Sequence, residues 1–400
     1  MFDDLTISDD ARLVVILLVL IVIPRALQRY RIPSAITSLA LGFGAHYFEL
    51  IPPSPALRLL STLGIVALFL FAGLEINGAE LRRHAKVLGQ HGTIWTVFLI
   101  LTALGAAKLF ALDPRAAMLV ALALLTPSTG FILSALHSGG YTVDEQFAIK
   151  TKAISAELLA LLFLFAVTQS ASAQQFGLAL LAMAAIVVVI PLAFRFFAAV
   201  VAPYAPRSEF AFLLGVAFVT ALVTRELGVY YLLGAFLVGV AAQRFRARMP
   251  ALSSEKMVDA LEAFGSVFVP FYFFVAGTHI DTSQTTWWAL ALGAALLAVF
   301  VPLRIGITKL HRMWALKEAG ATSNRVATAL VPTLVFTLVL AEILRDGFAV
   351  PDYLVGALII YTVVNTTVPA FVTGGVAPAF ESVEAPHGPQ PIDATSRPSG

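Results

Sequence analysis

The sequence predicts an all-α polytopic membrane protein, and three observations lead there. Of its 400 residues 59% are hydrophobic and only 12% charged, against roughly 25% charged in soluble domains, so the bilayer is the expected solvent. Apolar runs of about 20 residues, the length that crosses a hydrocarbon core, recur along the chain between charge clusters and Pro/Gly turns. Most of the 26 Lys and Arg residues fall in alternate connections between those runs, the asymmetry left when basic loops stay on the cytoplasmic side.

Thirteen runs read as spans: 11–28, 33–51, 56–76, 88–111, 115–137, 147–169, 175–201, 208–225, 228–244, 257–279, 286–308, 324–345 and 352–374. The segment before the first, MFDDLTISDD, is acidic where a signal peptide would be basic, and no A-x-A-like site follows, so a retained first helix is expected. One set of loops holds Arg25, Arg29, Arg31, Arg82, Arg83, Lys86, Lys150, Arg195, Arg207 and the later clusters around Arg246 and Lys317; the other holds Arg12, Arg58, Lys108, Arg115, Arg225 and Arg345. This predicts an inner (plasma) membrane protein with its N-terminus outside and its C-terminus cytoplasmic. The third run ends FLFAGLEI (69–76) and the tenth ends YFFVAGTHI (272–280). An echo seven spans apart places the two copies in opposite directions, the trace of an inverted repeat with spans 1–6 and 8–13 as halves and span 7 as linker. Residues 1–375 are then one transport core. The tail 376–400, rich in Pro, Gly and Ser, is expected to be a disordered cytoplasmic end.

Several classes fall away. A net charge of +2 with no basic face predicts no nucleic-acid partner. The absence of cysteine removes disulfides, thiolate nucleophiles and sulfur-ligated metals. There is no metal-ligand cluster and no nucleophile with its base at usable spacing, so neither an enzyme nor a cofactor is expected.

The polar residues inside the spans are therefore the informative ones. In KTKAISAELLALLFLF (150–165), Glu157 lies ten residues beyond Phe147, about 15 Å deep at 1.5 Å per residue, near the bilayer midplane. A central carboxylate costs about 2.5 to 3.5 kcal/mol on insertion scales. Its plain reading is a neutralised or ion-paired glutamate that holds helices together; its functional reading is a site for ions and protons. Span five reads AMLVALALLTPSTGFILSAL (117–136), with Thr126, Pro127, Ser128, Thr129 and Gly130 again near the midplane. Pro removes a backbone donor, Gly weakens the helix and the hydroxyls can coordinate a cation, so either an interrupted helix or a Ser/Thr-braced proline kink results. Seven spans on, Pro332, Thr333 and Thr337 stand in the matching run. Paired interruptions in the two halves are the pattern of a transporter site.

Arg304 either snorkels, if its helix stops near Leu310, or pairs with Glu157 in the core, if the helix runs on to Trp314. Lys152, about 7.5 Å inside, reads as a snorkelling residue or as a positive charge competing with an ion on its path. Glu75 and His279 read as interfacial, Arg225 and Glu226 as a solvated turn, and Glu342 as a partner of Arg345 at i,i+3. Asn365 and Thr366, mid-span, suit hydrogen bonds between helices.

These motifs together resemble the monovalent cation:proton antiporters, particularly their Kef-type branch. The resemblance rests on FLFAGLEI, TPSTGFILSAL, YYLLGAFLVGVAAQ (230–243), PFYFFVAGTHID (270–281) and VPTLVFTLVLAEI (331–343), over about residues 10–375. It implies a dimerisation domain and a core domain with two crossing discontinuous helices, a homodimer, and exchange of Na+ or K+ for protons. It implies that Glu157 is the ion-binding carboxylate, with Thr126, Ser128 and Thr129 beside it. Pro127, Gly130, Pro332 and Thr333 would be the discontinuities, and Arg304 the basic partner. Family members commonly carry Asp preceded by Asp, Asn or Gln, whereas this chain has Ala156 and Glu157. A single carboxylate favours electroneutral exchange and leaves Na+ against K+ open. The other reading, a transport-derived sensor or channel-like protein, makes Glu157 and Arg304 a structural ion pair.

Overall fold

The computed structural model describes residues 9–51, 54–76, 78–136, 140–205, 208–227, 231–246, 255–348 and 350–373. The expected disordered tail lies outside them. The described chain is built from helices: α1 (Asp9–Gln28), α2 (Ser34–Tyr47), α3 (Pro55–Leu74), α4 (Gly78–Arg83), α5 (Ala85–Leu109), α6 (Pro114–Leu125), α7 (Thr129–Leu136), α8 (Val143–Gln169), α9 (Ala173–Phe196), α10 (Glu209–Glu226), α11 (Tyr231–Arg246), α12 (Glu255–Thr278), α13 (Trp287–Ala315), α14 (Gly320–Ala329), α15 (Leu334–Phe348) and α16 (Asp352–Thr373). Each apolar run expected to span falls on one of these helices or on a consecutive pair. Eight spans among the described residues are long and apolar enough to cross a membrane, nine if the bent pair α14 and α15 counts as one. The apolar parts of α11 and α12 (Leu232–Phe245, Ala263–Thr278) are shorter.

Helix starts follow local chemistry. At α6 the Asp113 carboxylate accepts from the Arg115 amide at 2.9 Å, and Pro114 occupies the first turn, where its missing donor costs nothing. At α8 Thr142 and Glu145 form a reciprocal capping box, with Glu145 Oε2 accepting from the Thr142 amide at 2.9 Å. The same Glu145 is buried and takes the Arg325 guanidinium at 3.0 Å, fastening α8 to α14.

The helices pack in two sets. Helix α3 lies against α11 and α12, α12 against α2, and α10 against α11; elsewhere α5 packs on α6, α15 on α6 and α16, α13 on α16, and α8 on α7 and α14. The first set approaches through glycine. A Cβ at Gly239 of α11 would sit 2.2 Å from the Leu70 carbonyl oxygen and 2.8 Å from Gly73 Cα on α3. Close backbone approach of this kind holds helices together where lipid gives no hydrophobic drive. On the outside, large apolar side chains such as Val15, Leu18, Leu181, Val188 and Val189 are exposed, as lipid-facing surfaces of a multi-pass membrane protein require.

Candidate functional site

Two helix breaks meet inside the second set. Helix α6 stops at Leu125, Thr126 leaves it with ψ 118°, and α7 resumes at Thr129. Helix α14 stops at Ala329 and α15 resumes at Leu334, past Pro332. The Ser128 amide donates to the Pro332 carbonyl at 2.8 Å, so the breaks are joined directly. Ser128 Oγ accepts from the Val335 amide at 3.4 Å, and Thr337 Oγ1 donates to the Ala123 carbonyl at 2.7 Å. Only one break is a sharp bend: α14 and α15 meet at 43°, whereas α6 and the start of α7 continue as one span, Pro114–Leu133. Gly130 lies inside α7 rather than in the break, and a Cβ there would meet its nearest neighbour, Leu68 Cδ2, at an ordinary 3.5 Å. Pro127 and the residues on either side of it therefore account for the first discontinuity, by the missing donor.

Broken helices leave carbonyls without amides, and these carry the negative end of the helix dipole. Arg304 answers them. Its Nη1 donates to the Val331 carbonyl at 2.6 Å and to the Tyr361 hydroxyl at 3.2 Å, and its Nη2 donates to the Leu330 carbonyl at 2.8 Å. Tyr361 in turn donates to the Leu124 carbonyl at 2.9 Å. One guanidinium and one phenol thus tie together the ends of α6 and α14. On the other side of the second break, Asn365 Oδ1 accepts from the Thr333 amide at 3.3 Å, its Nδ2 donates to Thr333 Oγ1 at 3.0 Å, and Thr362 Oγ1 lies 2.9 Å from the same oxygen.

Glu157, on α8, is 5% exposed. The polar groups that approach its carboxyl are the hydroxyl and amide of Thr129, at the N-terminus of α7, where helix geometry favours a negative group. Neither makes a hydrogen bond of good geometry to Oε2: Glu157 Oε2 and Thr129 Oγ1 are both buried without a partner, and so is Thr126 Oγ1. Buried oxygens are normally paired. Thr126 and Thr129 stand on either side of Pro127 at this break, and Glu157 meets it through Thr129; oxygens of this kind can take a cation or a proton.

Several sequence expectations are corrected. Arg304 is buried, as its longer helix requires, but it makes no ion pair with Glu157 among the described residues; the orphaned carbonyls at Leu330 and Val331 take its donors instead. Ser128 Oγ is spent bracing the crossing, accepting from the Val335 amide, rather than left open for an ion. Lys152 does not snorkel: it is 3% exposed, with Nζ 3.1 Å from His311 Nδ1. Arg345 pairs with Asp346 and donates to the His279 carbonyl, not to Glu342. Arg225 and Glu226, exposed as a solvated pair would be, belong to the last turn of α10 rather than to a loop; the half-exposed Glu75 forms a salt bridge with Lys150, which its interfacial reading does not exclude. Asn365 bonds between helices as expected.

Tyr361, Trp95, His91 and His311 were not foreseen. Tyr361 is fully buried, and a tyrosine mid-span in LIIYTVV was a signal, since a buried phenol needs a partner. Beside the crossing, Pro127, Ala156 and Arg304 line a cavity together with His91, Trp95, Lys152 and His311.

Comparison with known proteins agrees with this architecture. The family described as "Sodium/hydrogen exchanger, transmembrane" matches residues 14–377. Among solved structures, the sodium proton antiporter MjNhaP1 from Methanocaldococcus jannaschii, solved at pH 8, superposes with a TM-score of 0.70 at 15% identity, covering 91% of this chain and 96% of that one. No curated protein matches.

Proposed function

Because the chain belongs to the transmembrane sodium/hydrogen exchanger family, whose members are cation:proton antiporters, we propose that it exchanges Na+ or K+ for protons one for one, at Glu157. One observation carries this: Glu157 is a buried carboxylate, one of whose oxygens has no hydrogen-bond partner of good geometry, and it meets Thr129 at a break in the helix whose other side is Thr126. A dehydrated alkali cation needs several oxygens to replace its water shell, and a carboxylate among them offsets its charge. Glu157 supplies the charge, and Thr129 and Thr126 supply further oxygens. A proton on Glu157 removes both the charge and a ligand, so cation and proton exclude one another and loading one expels the other. With a single carboxylate one positive charge replaces one, and the exchange is electroneutral.

In this reading thirteen crossings form two inverted repeats, with the N-terminus outside and the C-terminus in the cytoplasm of a cell whose inner membrane holds the protein. The set α1–α3 with α9–α12 is the dimerisation scaffold, and the set around the crossing is the moving core. Arg304 acts through the helix ends rather than on the ion, neutralising the converging carbonyls so that the site keeps room for a cation.

The test is transport. In proteoliposomes carrying a pH dye, Na+ or K+ pulses dissipate an imposed proton gradient with wild type and not with Glu157→Gln. An equal response from the two proteins overturns the assignment, and a response to only one of the two ions names the substrate.

A further inference from the structure

The cavity beside the crossing has a lining that an alkali cation does not explain. Its polar walls are Lys152 on α8, His91 on α5 and His311, Thr308 and Arg304 on α13, and no Asp or Glu lines it. These are donors and positive charges, and all but Thr308 are 9% exposed or less. Arg304 is satisfied by carbonyls and Tyr361, and the neighbouring Arg312 is paired with Glu318. Lys152 has no carboxylate partner among the described residues: its one hydrogen-bond partner is a histidine, which brings no negative charge. A buried ammonium in that position is strongly disfavoured unless something neutralises it.

The hydrogen-bond pattern adds a second indication. With the Lys152 ammonium donating, His311 Nδ1 is the acceptor, and the imidazole proton then resides on Nε2. His311 Nε2 is buried without a partner. Lys152 keeps further N–H groups beyond the one given to His311. The carboxylate acting on Lys152, Glu318, is already paired with Arg312; unmet donors around a positive charge with no carboxylate in contact, on a cavity wall, describe the complement of an anion.

We propose that this cavity binds a small inorganic anion of the chloride class, held by Lys152 with His311 and His91, which offsets the positive charge beside the Glu157 site. The remaining walls, Ile94, Trp95, Phe98 and Ile307, are apolar and favour a weakly hydrated monovalent ion over phosphate or sulfate, whose dehydration they cannot repay. The site is distinct from the cation site. Ala156 lines the cavity one helical turn from Lys152, whereas Glu157, about 100° further around α8, meets Thr129. The anion site itself stands on the cavity's geometry; its effect on exchange rests on the antiporter reading.

The experiment uses the full-length protein in detergent, at fixed Na+ concentration and ionic strength, with gluconate replaced stepwise by chloride, bromide, nitrate or phosphate. Chloride, bromide and nitrate are expected to raise the melting temperature saturably, as a ligand that binds only the folded state does. That response is expected to vanish in Lys152→Met, to persist in Lys152→Arg, which also covers the case that the first variant folds poorly, and to persist in Glu157→Gln. No anion dependence in wild type, an undiminished chloride response in Lys152→Met, or a preference for phosphate overturns the proposal. The two readings fail separately: Glu157→Gln that still exchanges cations sinks the transport assignment and leaves the anion response intact, whereas a transport-dead Glu157→Gln with no chloride response in either protein sinks only the anion site.

Discussion

Replacing Arg304 by Gln separates two accounts of the crossing. In the structure Arg304 serves two backbone carbonyls, Leu330 at 2.8 Å and Val331 at 2.6 Å, both as charge-assisted bonds. A buried acceptor stripped of its donor costs about 1 to 3 kcal/mol, so two cost about 2 to 6 kcal/mol. Arg304→Lys keeps the charge and loses the fork, and falls between wild type and Gln. The assay is reversible denaturation in mixed micelles, with Glu157→Gln and the double variant completing a cycle. Because Arg304 bonds carbonyls and not the carboxylate, the two losses are expected to add to within about 0.5 kcal/mol. A structural Glu157–Arg304 ion pair predicts the opposite: removing either partner is strongly destabilising, by about 3 to 5 kcal/mol, and removing the second restores much of it. Strong non-additivity of that kind, or an Arg304→Gln variant as stable as wild type, refutes the capping account.

Three further outcomes follow from the same geometry. Gly239→Ala is expected to destabilise by about 1 to 3 kcal/mol, since its Cβ would lie 2.2 Å from Leu70 O, whereas Gly89→Ala, with nothing within 4 Å, is expected to be neutral or stabilising; equal effects in a thermal melt would contradict the close α3–α11 contact. Thr337→Val removes the bond to the Ala123 carbonyl at 2.7 Å and is expected to cost about 1 to 3 kcal/mol, with a lowered exchange rate read in proteoliposomes. Lys150→Ala breaks the salt bridge to Glu75, but with side chains 33% and 45% exposed the loss is expected to be at most about 1 kcal/mol and to shrink with added salt. A large, salt-independent loss would show that this pair lies in a far drier setting than its exposure indicates.

What was legible in the sequence was whatever depends on neighbours along the chain. Apolar runs, the donor missing at Pro127 and Pro332, and the depth of Glu157 all follow from residue type and spacing, and the helices fall where those signals put them. Contacts across helices were harder. Arg304 stands 26 residues from the Leu330 carbonyl it caps, and Lys152 stands 159 from His311. Periodicity fixes the face a side chain occupies, but only packing decides what that face meets. The charge pattern suggested that Glu157 and Arg304 pair because opposite charges attract. Two carbonyl ends freed by a helix break proved the stronger claim on a guanidinium, and the chain around residue 330 gives no local sign of how close Arg304 lies.

The central claim, that cation and proton compete for one carboxylate, is tested most directly by proton release. Purified protein in a weakly buffered detergent solution is titrated with Na+ or K+ while pH is followed, and the heat of binding is compared in two buffers of different ionisation enthalpy. The account predicts saturable release of about one proton per cation bound, absent in Glu157→Gln and preserved in Arg304→Lys. Cation binding without proton release, or release that survives Glu157→Gln, would contradict it.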